Sequence, residues 1–302
     1  MEETFKDFLL SKRTKGVAIK TLQTYEQHFK AISRHLNTQL DIGEIKRADL
    51  DNMFVSMRDS GLSSNSINSY SRTMKSYFSW CNEENLTHLN IQLYKDEETI
   101  KETYSDKELE LLLKKPDIRK ATFAEYRDWV IINFLLNSGS RAATIRNIQI
   151  RDVDMDTGVV FYRHTKNKKA QVIPLCSAMI SILREYLRYR EGGGTDYLFC
   201  TETGTQLTEN GLRQSIAMYN TRRGVQKTSI HLFRHTFARK YLIDCGGDAF
   251  TLQKLLGHST LAMTKHYCAI FDADLTKNYD NFSPLAQLKS NSTKIKLSAG
   301  RK

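Results

Sequence analysis

The chain's 302 residues can bury a sizeable core and suit a two-domain organisation. Lysine and arginine outnumber aspartate and glutamate by 45 to 34, and the resulting net charge of +11 favours a polyanionic partner, nucleic acid before a membrane surface. A composition 40% hydrophobic and 26% charged excludes bulk disorder and collagen-like repeats, and no apolar run approaches the roughly 20 residues of a bilayer crossing.

In the first hundred residues the apolar spacing is helical throughout. Phe5, Phe8 and Leu9 share one face, and Leu22, Tyr25, Phe29, Ile32 and Leu36 share another. Leu50, Phe54 and Met57 follow, and then Ile67, Tyr70, Met74, Tyr77, Phe78 and Cys81. The spacing predicts four bundle-type helices, with the polar loop Ser60–Asn65 supplying a stop and a new start. Tyr70, Tyr77, Phe78 and Trp80 are expected in the core. Arg72 and Lys75 lie on another part of that helix, within reach of backbone phosphates. From Asn82 to Thr103 the pattern breaks into polar and acidic residues, and Ser105 with Glu108 then forms a capping box that opens a new helix. These signals predict a helical domain over residues 1–90 and a linker over 91–103.

A second domain is expected over residues 104–285. It begins with helices to about Ile148, among them the apolar run Trp129–Leu136. Two strands, Gly158–Tyr162 and Gln171–Leu175, follow around a turn at Lys166–Lys169. Helices resume at Ser177, with a loop at Gly192–Gly194. Only three prolines occur, which suits a mostly helical chain. Residues 286–302 form a basic tail, open equally to a solvated end and to a contact with DNA or a neighbouring subunit. The fold class expected is mainly α with a small β-sheet.

Three segments carry candidate chemistry. Asn137–Ile145 is a glycine-marked helix junction containing Arg141. His231-Leu232-Phe233-Arg234-His235-Thr236 puts His231 and Arg234 at i and i+3, on one helix face. Leu255–Thr260 contains Gly257, able to end a helix, and His258, with Tyr267 nine residues further on. Together they supply what phosphoryl transfer needs. Two guanidiniums can clamp the non-bridging oxygens as charge builds. A lysine or imidazolium can protonate the leaving oxygen, and a tyrosine hydroxyl can act as nucleophile.

These motifs resemble those of the tyrosine recombinases, the phage-integrase family of site-specific DNA recombinases. The family places an arginine in a T-G-x-R type turn, a lysine in a β-hairpin, an H-x-x-R box, and L-G-H with a tyrosine nine residues later. Arg141, the His231/Arg234 box, Leu256-Gly257-His258-Ser259 and Tyr267 match in order. The family spacing of eight residues from the lysine to a V-P-L strand end selects Lys166, eight before Pro174. Two departures are visible: Thr144 stands where the family usually has an acid, and Ser138-Gly139-Ser140 replaces threonine-glycine-apolar. The resemblance implies an N-terminal four-helix core-binding domain that clamps DNA and an α+β catalytic domain.

It also implies roles. Tyr267 would attack a phosphodiester to leave a 3′-phosphotyrosine, held by Arg141 and Arg234. Lys166 would protonate the 5′ oxygen, His231 would serve as general acid/base, and His258 would hydrogen-bond the phosphate. Strand exchange would pass through a Holliday junction in a homotetramer on double-stranded DNA carrying specific sites, with an accessory DNA-bending protein as a further partner. The compact chain suits chromosome-dimer resolvases as well as mobile-element integrases, and the departures and the tail favour the latter. No cofactor or metal is expected. His231 and His235 have zinc-helix spacing, but no glutamate lies between them and Arg234 would repel a cation. No phosphate-binding G-x-x-x-x-G-K-[ST] occurs either. Five scattered cysteines without a C-x-x-C pair and the lack of a secretory pattern predict a reduced, cytoplasmic, non-membrane protein. A non-cleaving DNA-binding protein on the same fold and a type IB topoisomerase are the rival readings.

Overall fold

In the computed structural model, the apolar spacing near the N-terminus produces four helices: α1 (Glu2–Thr14), α2 (Ile19–Ile32), α3 (Arg47–Asp59) and α4 (Ser64–Glu83). The structure describes residues 1–93, 102–163, 170–261, 264 and 285, and the chain divides into two compact units, Met1–Thr99 and Ile100–Lys302. An aromatic cluster centres the first unit. Phe5 stacks on Phe29 at 3.9 Å between ring centroids, and Tyr77 meets Phe5 edge-on at 5.2 Å. Tyr77, Phe78 and Trp80 are buried as the sequence predicts, while Tyr70 is half-buried. On α3 it is Met53 that joins Leu50 and Met57 in the core, and Phe54 packs at its edge. Leu36 lies beyond the end of α2 yet is also buried. Ser63 accepts a hydrogen bond from the Ser66 backbone at 3.3 Å and so starts α4 within the Ser60–Asn65 stretch. Arg72 and Lys75 of α4 are exposed.

The second unit is built around α6 (Phe123–Ser138). Val130, Ile131, Ile132, Phe134 and Leu135 are fully buried, so the apolar middle of this helix sits inside the unit. Around it pack α5 (Asp106–Leu113), α8 (Ser177–Arg190), α9 (Glu209–Arg222) and α10 (Ile230–Ile243). The Ser105/Glu108 capping box opens α5: the Glu108 backbone donates to Ser105 Oγ at 3.3 Å and the Ser105 backbone to Glu108 Oε2 at 2.7 Å. The backbone N–H of Tyr104 donates to Thr236 Oγ1 at 2.9 Å, tying the entry of this unit to α10.

The sheet has three antiparallel strands in the order β1 (Val153–Asp154), β2 (Val159–Tyr162) and β3 (Gln171–Pro174). The sequence signals β2 and β3 but not β1, whose two residues are too few for an alternation to register. Val160, Tyr162 and Ile173 face the core; Phe161 and Val172 pair on the outer face. The turn Lys166–Lys169 and the tail 286–302 lie outside the described residues.

Two helix ends place the turns that carry Arg141 and His258. Gly139 ends α6 in the left-handed region at φ +58°, its N–H donating to Leu135 O at 2.8 Å. Gly257 ends α11 (Ala249–Leu256) at φ +61°. There the Gly257 N–H reaches Lys254 O at 3.0 Å and the His258 N–H reaches Gln253 O at 3.1 Å, the paired bonds of a Schellman cap. A Cβ on Gly139 would lie 2.4 Å from Phe237 Cδ1 and 2.7 Å from Leu256 Cδ2. Gly139→Ala therefore combines left-handed strain with overpacking, and about 2–4 kcal/mol of destabilisation is expected in chemical denaturation. Gly224, at φ +76° with nothing within 4 Å of such a Cβ, serves as the control. Gly224→Ala should cost about 1–2 kcal/mol, and equal losses at the two glycines would refute the packing contribution.

Candidate active site

The site forms where α10 passes the ends of α6 and α11. His231 and Arg234 sit one turn apart on α10, as their spacing predicts. Arg234 is 6% exposed, and such burial of a guanidinium is costly unless its N–H groups are matched. Nη1 donates to Gly139 O at 2.8 Å and Nη2 to Leu256 O at 2.9 Å. These carbonyls belong to the C-terminal ends of two helices, where main-chain oxygens lack intrahelical partners and the helix dipole is negative. The cation thus satisfies two helix ends while they hold its plane fixed.

Nη2 also donates to His258 Nε2 at 2.8 Å. A guanidinium can only donate, so Nε2 carries no proton. The proton then sits on Nδ1, which donates to Thr264 Oγ1 at 2.9 Å. Burial, with the charges of Arg234 and Arg141 adding to it, holds the imidazole pKa down to about 4. His258 is therefore neutral at physiological pH.

Arg141 is the N-cap residue of α7 (Ala142–Ile145), two residues beyond Gly139, and is half-buried. His231 stands at the more open side of the cluster. Packing around its ring, and then Arg234, Arg141 and Arg213, lower its pKa, while Glu209 acts in the opposite sense. Arg213 and Glu209 come from α9, a helix whose sequence carries no sign of the site.

The hairpin strands are fastened to both helix ends. Tyr162 of β2 bonds through its hydroxyl to Ser140 Oγ, next to Arg141. Ser140 Oγ lies 2.7 Å from Ser138 Oγ, which donates to Phe134 O at 2.7 Å. The protons can run one way, from Tyr162 to Ser140 to Ser138 to the α6 carbonyl. Burial pushes the Tyr162 pKa up to about 12, so the phenol keeps the proton that this chain requires. Directly across the ladder from Tyr162 lies Gln171, whose amide Nε2 bonds to Lys254 O and, at 2.8 Å, to Leu255 O.

The described structure thus brings Arg141, His231, Arg234 and His258 to one place. Lys166 and Tyr267 lie outside the described residues. Ser140, Tyr162, Gln171 and Thr264 are site residues that the sequence alone does not single out. The departure at Ser138-Gly139-Ser140 is the one visible signal among them, because Ser140 supplies a second hydroxyl where the family's apolar residue supplies none. Guanidiniums with two imidazoles held uncharged form a cationic pocket, matched to a phosphate whose non-bridging oxygens gain charge. Among the described residues, no group of three or more His, Cys, Asp or Glu side chains is placed to hold a metal ion.

Two sequence families match the chain: the phage integrase family over residues 102–273, and the phage integrase N-terminal SAM-like domain over residues 3–93. Tyrosine recombinase XerD of Staphylococcus haemolyticus is 28% identical over 284 residues, covering 90% of this chain and 95% of that protein. Among solved structures, the Tn1549 transposon integrase in complex with transposon right end DNA superposes with a TM-score of 0.73 at 20% identity, covering 86% of this chain and 92% of that one. The XerH site-specific recombinase bound to palindromic difH substrate gives 0.69 at 21% identity, with 90% of this chain and 82% of that one covered. With both of its units matched in order and the arginine–histidine cluster inside the larger match, this chain belongs to the phage integrase family, the tyrosine recombinases.

Proposed function

We propose that this enzyme cuts and rejoins double-stranded DNA at specific sites through a 3′-phosphotyrosine intermediate, in the service of a mobile element. The observation that carries the reading is the buried Arg234, fixed by Gly139 O, Leu256 O and His258 beside Arg141 and His231. The Tyr267 hydroxyl attacks the scissile phosphorus, forming the tyrosyl ester as the bond to the 5′ oxygen breaks. His231, uncharged near neutral pH, accepts the tyrosine proton, and Lys166 delivers a proton to the departing oxygen. Arg141 and Arg234 neutralise the pentacoordinate phosphate. A phosphate oxygen arriving at Arg234 displaces His258 Nε2 as its acceptor, and the anion then favours a protonated His258 that donates to it. The 5′-hydroxyl of a partner duplex reverses the chemistry. Two rounds pass through a Holliday junction within a homotetramer, with an accessory DNA-bending protein where the site demands one.

In this reading residues 1–90 clamp the duplex, with exposed Arg72 and Lys75 available to phosphates. Residues 91–103 link to the catalytic domain at 104–285, and the basic segment 286–302 extends from it. The departures around Arg141 and the basic tail favour a mobile element. Chromosome-dimer resolution is the second reading, favoured by the similarity to XerD along 95% of that protein's length. Deleting the gene separates them. Loss of an excised circular junction supports the first, and accumulation of unresolved chromosome dimers supports the second.

The chemistry is tested by incubating the protein with fragmented, nicked host DNA in EDTA and isolating protease-sensitive complexes that survive SDS. The parent should form them and Tyr267→Phe should not; Arg234→Ala should slow their formation by about 10²–10³-fold. Adducts that persist in Tyr267→Phe would assign the nucleophile elsewhere. Dependence on added divalent metal would contradict the guanidinium mechanism.

His258 adds a pH signature. Its folded-state pKa of about 4 lies below the unfolded value of 6.5, so its contribution to stability is complete above pH 6.5 and declines as the pH falls toward 4. Melting curves between pH 7 and 4 should therefore show a shallower loss of stability for His258→Gln than for the parent. Identical slopes would place the neutral imidazole in doubt.

A further inference from the structure

The C-terminal turn of α11 has every one of its last carbonyls matched, and the partners come from three directions. Gln253 O and Lys254 O receive the backbone bonds of the Schellman cap, and Leu256 O receives Arg234. Lys254 O and Leu255 O receive the side-chain amide of Gln171, which lies 83 and 84 residues away in sequence at the start of β3. Gly257 makes room for this approach: a Cβ there would come within 2.8 Å of Gln171 Oε1. On the other side of the same ladder position, Tyr162 reaches Ser140 in the turn before Arg141. One cross-strand pair therefore touches both helix ends from which the Arg234 guanidinium is held.

We propose that Gln171 is a positioning residue for the phosphate site: its amide fixes the end of α11 so that Leu256 O and His258 hold Arg234 in the plane that receives the scissile phosphate. The inference rests on the DNA-cleavage reading above. Among the described residues, the Gln171 amide bonds to Lys254 O and Leu255 O and not to Arg141, His231, Arg234 or His258. Its effect is transmitted through two peptide units, from Leu255 O to Leu256 O and through Gly257 to His258. A helix end freed of the amide can rotate about its left-handed glycine, and a small displacement of the guanidinium suffices to weaken a bidentate contact.

The test uses the full-length protein and a nicked duplex containing the sequence recovered with the trapped adducts. Two forms of this duplex are compared, one with the natural phosphodiester and one with a methylphosphonate at the scissile position. The methylphosphonate lacks one charged non-bridging oxygen and so has less need of a correctly placed guanidinium. Gln171→Met keeps the chain length but loses both donated bonds. It should release the leaving strand from the phosphodiester about 10²-fold more slowly than the parent, yet stay close to the parent rate on the methylphosphonate. Gln171→Lys, which retains N–H donors aimed at a helix C-terminus, should recover most of the loss. Thermal melting of each variant establishes that it is folded.

Equal slowing on both substrates would make Gln171 a structural residue and overturn the proposal, as would unchanged cleavage by Gln171→Met. Rescue of Gln171→Met by a 5′-bridging phosphorothiolate, whose thiolate leaves without a proton, would overturn it in favour of a role at the leaving group. Absence of any parent adduct in the trapping experiment that supplies the site would remove the cleavage reading itself. An adduct formed equally fast by parent and Gln171→Met would remove the clamp alone.

Discussion

A single buried guanidinium joins the ends of two helices. Arg234 takes its hydrogen-bond acceptors from Gly139 at the close of α6, from Leu256 at the close of α11, and from His258 one residue past the cap. Each helix end offers carbonyls that would otherwise lack partners, and each presents the negative pole of its dipole. The same contacts compensate the burial of the cation and fix its orientation before any substrate arrives. Preorganisation of this kind is what allows a charged group to stabilise a transition state without first rearranging.

The rest of the second unit is arranged around that junction. The apolar α6 passes through the core, so its end cannot shift without disturbing the packing of α8, α9 and α10. The left-handed glycines are needed because the chain turns sharply away at both helix ends, and at Gly139 the neighbouring Phe237 and Leu256 leave no space for a side chain. Burial, reinforced by the clustered cations, then sets the protonation of the histidines. With Arg234 and Arg141 nearby, burial keeps both His231 and His258 below their ordinary pKa. The uncharged rings avoid adding to the repulsion among the cations, and each can gain a proton when an anion enters.

Much of this is legible in the sequence, and the limits have physical causes. The helical periodicity of α1 to α4 and the Ser105/Glu108 box announce themselves because they are local. His231 and Arg234 are readable as a pair because three residues on a helix bring side chains to one face. Gly257 is readable as a helix stop, and with it the place of His258. The contacts that fasten the site are not readable. Gln171 meets Lys254 and Leu255 only because β3 crosses the end of α11, and a glutamine at a strand start carries no signal of that approach. The Tyr162–Ser140 bond likewise depends on the third dimension. The identity of the His258 tautomer follows from its partner, which no spacing reveals.

Preorganisation of the phosphate site requires that Arg234 and a neutral His258 are already locked together in the free protein. Long-range proton–nitrogen correlation spectra of the His258 ring test it most directly, recorded on the DNA-free protein from pH 8 down to 5. A locked pair requires a proton on Nδ1, an unprotonated Nε2, and no titration across that range. A proton on Nε2, or an imidazolium already present at pH 7, would mean that Arg234 has no acceptor there and that the proposed preorganisation does not exist.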